Sequence, residues 1–128
     1  MNAYCVPFAL GFVTGKTPDQ IAELIAIERG EAGQAVRRVS QKHYLPVLKR
    51  LGFRILATVA FPGMTVRKWA AVRSKWGDNS TWLVRKSGHL FVYRAGLIYD
   101  NNNPEGIKVD LHSLGRCRLV QAWQIGVI

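Results

Sequence analysis

Two short runs rich in aromatic and β-branched residues, HLFVYR (89–94) and LIYD (97–100), stand only two residues apart, and those two are Ala95 and Gly96. A link this short makes the pair a β-hairpin in which Arg94 faces Leu97. Counting back along both strands, Phe91 faces Asp100 and His89 faces Asn102. Side chains alternate between the two faces of a strand, and residues diagonal across a ladder share a face. His89 and Asp100 are therefore expected to be neighbours on one face, within reach of an imidazole–carboxylate hydrogen bond. A four-residue loop would keep this parity; a three-residue loop with a bulge would break it.

The hairpin sits in the second half of a chain whose periodicity changes along its length. Residues 5–14 are apolar and stop at Gly15. TPDQIAELIAIERG follows, with Thr17 as N-cap, Pro18 at the first helical position, Gln20 closing a capping box and Gly30 as the stop. EAGQAVRRVS reads as either a loop or a short helix. A third helix fits Gln41–Leu51, with Pro46 delaying its start or kinking it. Phe53–Phe61 is β-prone, and Thr65 caps a fourth helix over Val66–Trp76. From Thr81 onward the pattern is strands: TWLVRK, HLFVYR, LIYD and Cys117–Val127. Asn101-Asn102-Asn103-Pro104 reads as a turn. The expectation is one α+β domain over residues 1–128, with a helical part to about residue 76 and a β part from about residue 80.

Composition narrows the class. Of 128 residues, 48% are hydrophobic, which supports a core without disulfide or metal staples. Two cysteines, Cys5 and Cys117, make no disulfide framework, and they read as free thiols. No Cys/His cluster has zinc-site spacing, and no metal or other cofactor is expected. No apolar run is long enough to span a bilayer, and the apolar start lacks the basic region of a secretory signal. A cytoplasmic location is expected, with no membrane partner. The net charge of +10 is compatible with nucleic acid or another anionic partner, but no dense basic run or recognisable nucleic-acid module is present.

Cys5 stands near the start of the first apolar helix, which Pro7 allows to begin at Val6 or Pro7, and His89 and Asp100 follow on the hairpin. A carboxylate beside an imidazole fixes its tautomer and favours the imidazolium, and an imidazolium beside a thiol favours the thiolate. Each residue has a plainer explanation: a small buried hydrophobe for Cys5, a satisfied histidine for His89, a turn residue for Asp100. Their conjunction, in that order and with matching parity, points to a nucleophile–base–orienter triad. An oxyanion hole would draw on the Cys5 backbone N–H and, among side chains upstream, on Asn2. His112 is a competing base in the loop-like stretch Asp110-Leu111-His112-Ser113, and Cys117 reads as structural.

YCVPFALGFVTGKTPDQIAELI and STWLVRKSGHLFVYRAGLIYDNN resemble the two signatures of small papain-like proteins of bacteriophage genomes. There a cysteine opens an apolar helix, and a Gly-His precedes a hairpin that ends in Tyr-Asp. Bacteriocin-leader peptidases share the looser pattern. The resemblance implies a papain-like fold, with helices packed on a C-terminal antiparallel sheet. It also implies a peptidase, isopeptidase or amidase in a bacterial host cell, with Cys5 as nucleophile, His89 as base, Asp100 as its orienter and a protein or peptide as substrate. An amidase acting on peptidoglycan is a variant of this reading. A non-enzymatic protein of the same fold, binding nucleic acid or a host factor, is the alternative. The chain departs from the family in lacking the usual oxyanion glutamine, for which Asn2 stands at a different spacing.

Overall fold

The computed structural model describes residues 5–30, 39, 41–60 and 63–127. Among the described residues, four helices, α1 (Cys5–Thr14), α2 (Pro18–Arg29), α3 (Gln41–Arg50) and α4 (Val66–Lys75), accompany six strands: β1 (Phe53–Val59), β2 (Thr81–Lys86), β3 (His89–Arg94), β4 (Leu97–Asp100), β5 (Asn103–Lys108) and β6 (Gln121–Val127). The strands form one sheet in the order β1-β6-β2-β3-β4-β5, and every pairing is antiparallel. The α+β class is as expected. Among the described residues no helix is long and apolar enough to cross a membrane.

The central strands are buried on both faces, and their alternation divides the core in two. Leu83, Leu90, Val92, Trp123 and Ile125 pack with Cys5, Ala9, Leu10, Ile21, Ile25, Tyr44 and Leu48, under α1–α3. Trp82, Val84, Phe91, Tyr93, Ile98 and Ala122 pack with Val66, Trp69 and Ala70 of α4, and with Leu114 of a 3-10 turn over Ser113–Arg116. Helices thus cover both faces of the sheet. The simple division into a helical half and a β half does not hold, because β1 lies within the first half and pairs with the last strand, β6, leaving α4 to cross to the other face. Burial explains this: FRILATV is apolar enough to form a sheet edge, and β6 needs a partner on each side.

Local signals behave as read for α2. Thr17 accepts from the Gln20 backbone, Gln20 answers through its side chain to the Thr17 N–H (2.9 Å), and Gly30 ends the helix in the left-handed region. Thr65 likewise caps α4 by accepting from the Lys68 N–H. The third helix contains Pro46 within Gln41–Arg50 rather than starting after it. The Asn-rich stretch is not only a turn: Asn103 begins β5, which pairs with β4. Of Cys117–Val127, only Gln121–Val127 is strand, while Leu119 N–H donates to Met64 C=O and Val66 N–H to Cys117 C=O, tying this segment to the start of α4. The stretch 31–40, read as loop or short helix, lies almost entirely outside the described residues.

The Ala95-Gly96 link is a tight turn with positive φ at both residues, 49° and 86°. Such a turn matches the twist of the flanking strands and strains any residue with a Cβ at the glycine position. Gly96→Ala is expected to lower unfolding stability by about 1 kcal/mol, and Ala95→Asn to raise it slightly. Urea denaturation of the two variants checks both signs.

Candidate functional site

The β3–β4 register is the one derived from the two-residue link: Arg94 pairs with Leu97, Tyr93 with Ile98 and Val92 with Tyr99. His89, first in β3, and Asp100, last in β4, share a face, with His89 Nε2 4.0 Å from Asp100 Oδ2. The His89 ring stacks on Phe91 at 6.0 Å between centroids. Asp100 is only 3% exposed. Its Oδ1 accepts from the backbone N–H groups of Asn102 (3.0 Å) and Asn103 (2.8 Å) and from Asn103 Nδ2 (3.1 Å). The carboxylate thus closes the turn between β4 and β5 as well as facing His89.

The nearer imidazole is His112, whose Nε2 lies 2.9 Å from Asp100 Oδ2. His112 Nδ1 accepts from the Leu114 N–H at 3.0 Å, capping the 3-10 turn. With Nδ1 accepting, the ring proton resides on Nε2 and is donated to Asp100. Both ring nitrogens are then occupied, and His112 is an anchor for the carboxylate rather than a free base. The 3.2 Å approach of Asn103 Nδ2 to the same Nε2 sets two donors side by side and is a packing contact in this tautomer. Among the described residues no group of three or more His, Cys, Asp or Glu side chains is arranged to hold a metal ion.

Burial pushes the His89 imidazole below its ordinary pKa; Asp100 opposes the shift, and Lys86 and His112 reinforce it. His89 is therefore neutral at pH 7, the form in which it accepts a proton.

The structure brings His89 and Asp100 together but does not bring Cys5 to them. Cys5 opens α1, is 5% exposed, and packs in the cluster that includes Leu90 and Val92. His89, Phe91, Ile98 and Asp100 alternate onto the other face, toward α4 and the 3-10 turn. Of the three side chains, His89 and Asp100 are neighbours at 4.0 Å, too far for a hydrogen bond, and the imidazole bonded to Asp100 is that of His112. The strand parity that makes His89 and Asp100 neighbours also turns both away from α1. Asn2 lies outside the described residues. Cys117, half-buried at the fringe of the second cluster, has its sulfur 3.9 Å from the Ser113 carbonyl oxygen, and both cysteines are free.

On the Cys5 face, sequence reasoning passed over two polar groups. Tyr44 is buried, and burial drives its hydroxyl pKa well above the ordinary value; Arg85 opposes this and Cys5 adds to it. The Tyr44 hydroxyl and Arg85 Nε are buried without a hydrogen-bond partner. Strand alternation in TWLVRK, which puts Arg85 on the face of Leu83, is the signal that would have found the arginine. No spacing links His112 to Asp100, so that contact had none.

The chain matches no protein-family model, no curated protein and no solved structure.

Two outcomes test this geometry. Asp100→Ala leaves the His112 N–H and two backbone donors without their acceptor and is expected to cost about 3 kcal/mol of stability, read from denaturant midpoints. For His89, whose folded pKa is depressed, the unfolded chain binds the proton more readily between the folded pKa and about 6.5. Stability is therefore complete above that window and falls on acidification through it. His89→Gln should flatten this part of the stability–pH profile, measured by urea unfolding between about pH 7.5 and pH 5.

Proposed function

We propose that this protein is a thiol-dependent hydrolase of the papain-like type, cleaving a peptide, isopeptide or related amide bond. Cys5 is the nucleophile, His89 the base and Asp100 the group that orients it. The observation that carries this reading is the placement of the His89 imidazole 4.0 Å from the buried, multiply anchored Asp100 at one end of β3.

The position of α1 supports it. Phe12, near the far end of α1, has its ring under the Arg94 guanidinium (5.2 Å) and beside Tyr99 (4.4 Å), at the end of β3 remote from His89. The start of α1, with Cys5, therefore lies toward the His89 end of that strand. Cys5 packs with Leu90 and Val92, whereas His89 stacks on Phe91, which alternates to the other face of β3. Productive contact requires the first turn of α1 to open, so that Cys5 passes the exposed Ser87-Gly88 turn joining β2 to β3. First turns lack intrahelical bonds for their leading N–H groups, so the cost of opening this one is mainly that of exposing the buried Cys5, Val6 and Pro7.

Once in contact, the Cys5 thiol proton passes to His89, and the thiolate adds to the substrate carbonyl. The tetrahedral oxyanion is met by backbone N–H groups freed at the helix start. Collapse expels the amine, which takes the proton from the His89 imidazolium, and leaves a thioester on Cys5. Water, deprotonated by His89, then hydrolyses the thioester and restores the thiol.

Thiol-labelling rates at pH 7 test the reading. Cys5 should react with iodoacetamide about tenfold faster than Cys117, or more, despite its greater burial, and His89→Ala should remove that advantage. Labelling of Cys5 at or below the Cys117 rate would refute it. A second measurement is independent of chemistry and uses the double variant His89→Cys/Cys117→Ser. Opening of α1 should let Cys5 form a disulfide with the thiol introduced at position 89 under mild oxidation, since a bridge needs Cα atoms within about 7 Å. Its absence, with both thiols still titratable, counts against the encounter.

A further inference from the structure

The two Arg- and Lys-rich stretches on the second face of the sheet are not used by the chemistry above. α4 buries Val66, Trp69 and Ala70 and turns Arg67, Lys68, Val72 and Lys75 outward. The guanidinium of Arg73 is held back over the rings of Trp69 (5.9 Å) and Trp82 (5.5 Å). Beside α4 runs the 3-10 turn with exposed Arg116, followed by exposed Arg118, whose guanidinium donates to the Gly63 carbonyl and so lies against the start of the helix. Neither 63–77 nor 113–119 contains an Asp or Glu, although the chain has eight. Asp78, just past α4, is turned to the Ser80 N–H and the Trp82 indole N–H. Among the described residues, the carboxylate of Glu28 pairs with Arg50 and that of Asp100 faces the imidazoles of His89 and His112.

An exposed indole completes this surface. Trp76, at the C-cap of α4, is 77% exposed, whereas Trp69, Trp82 and Trp123 are at most 2% exposed. Its backbone is ordered: Trp76 N–H donates to Val72 C=O, Gly77 N–H to Ser74 C=O and Asp78 N–H to Arg73 C=O. Val72, 39% exposed, sits one turn before it on the same side. Leaving a tryptophan in water forgoes a large gain from burial. Here it stands beside cations on a stretch without an acidic residue.

We propose that the outer face of α4, together with Arg116 and Arg118, binds single-stranded nucleic acid: the cations hold successive phosphates and Trp76 stacks on an unpaired base. The combination of a basic track with an accessible π-face favours an unstacked strand, because in a duplex both faces of each base are already covered by its neighbours. An acidic peptide would satisfy the cations but leave the indole without a planar partner. This inference is independent of the thiol chemistry: Cys5→Ser binds like the native chain.

The test is a titration with oligo(dT) of about 12 nucleotides, within the usual site size of such grooves, following tryptophan fluorescence. Because the other three indoles are buried, quenching should come from Trp76 and disappear in Trp76→Phe, in which binding, followed by anisotropy, persists. Trp76→Ala should weaken binding about tenfold or more. Lys68→Gln/Lys75→Gln should weaken it and make the logarithmic salt dependence shallower by about 1.4. Unchanged thermal melting of each variant confirms that the fold is intact. Equal affinity for a duplex of the same length, for heparin or for poly-glutamate overturns the proposal, as does a Trp76→Ala variant that binds like the native chain, or no binding at low salt.

Discussion

Three adjacent strands, β6, β2 and β3, have apolar side chains on both faces, and nearly everything else follows from covering both. An antiparallel sheet with one wet face would need helices on one side only. Here TWLVRK and HLFVYR send large apolar residues both ways, while QAWQIGV sends Trp123 and Ile125 to one side and the small Ala122 to the other. The first three helices cover one side. The chain then lays β1 at the edge beside β6 and passes to the other side with α4. The two cores have different characters: the first is largely aliphatic around α1, and the second is built on Trp69, Trp82 and Tyr93 in edge-to-face contact at about 5 Å.

A buried carboxylate organises the polar part of the second face. Asp100 ends β4, caps the turn into β5 and accepts from His112, which in turn caps the 3-10 turn. An isolated buried charge is costly, and a carboxylate accepting several N–H bonds relieves that cost. Asp100 thereby joins three pieces of chain that are separate in sequence. The imidazole that profits is His89, held beside a fixed negative charge yet kept neutral by its burial. This neutral imidazole shares a sheet face with the basic surface of α4.

How far the sequence could be read depended on the range of the interaction involved. The α2 capping box, the Gly30 stop and the Ala95-Gly96 hairpin were legible because each is decided within a few residues. The neighbourhood of His89 and Asp100 was legible for the same reason, since a two-residue turn determines the register and the register determines the face. The Asp100–His112 contact was not. It depends on β5 folding back and on the following loop returning, and nothing in Asp110-Leu111-His112-Ser113 announces a destination. β5 itself was hidden because NNNP has the composition of a turn, while its strand character comes from pairing with β4.

The position of Cys5 shows where sequence and tertiary structure part. The sequence alone determined that Cys5 stands at the start of an apolar helix to within a residue or two, that His89 and Asp100 share one side of a hairpin, and that the chain is α+β; these are short-range matters of capping, periodicity and pleat. Which side of the sheet α1 would cover was decided only by the tertiary structure. Leu90 and Val92 are as apolar as Phe91 and Tyr93, so the hairpin offers two faces of similar attraction. In the folded chain α1–α3 pack on the side of Leu90 and Val92 and Trp69 of α4 on the side of Phe91 and Tyr93, a complementarity between distant segments that no short stretch of sequence contains.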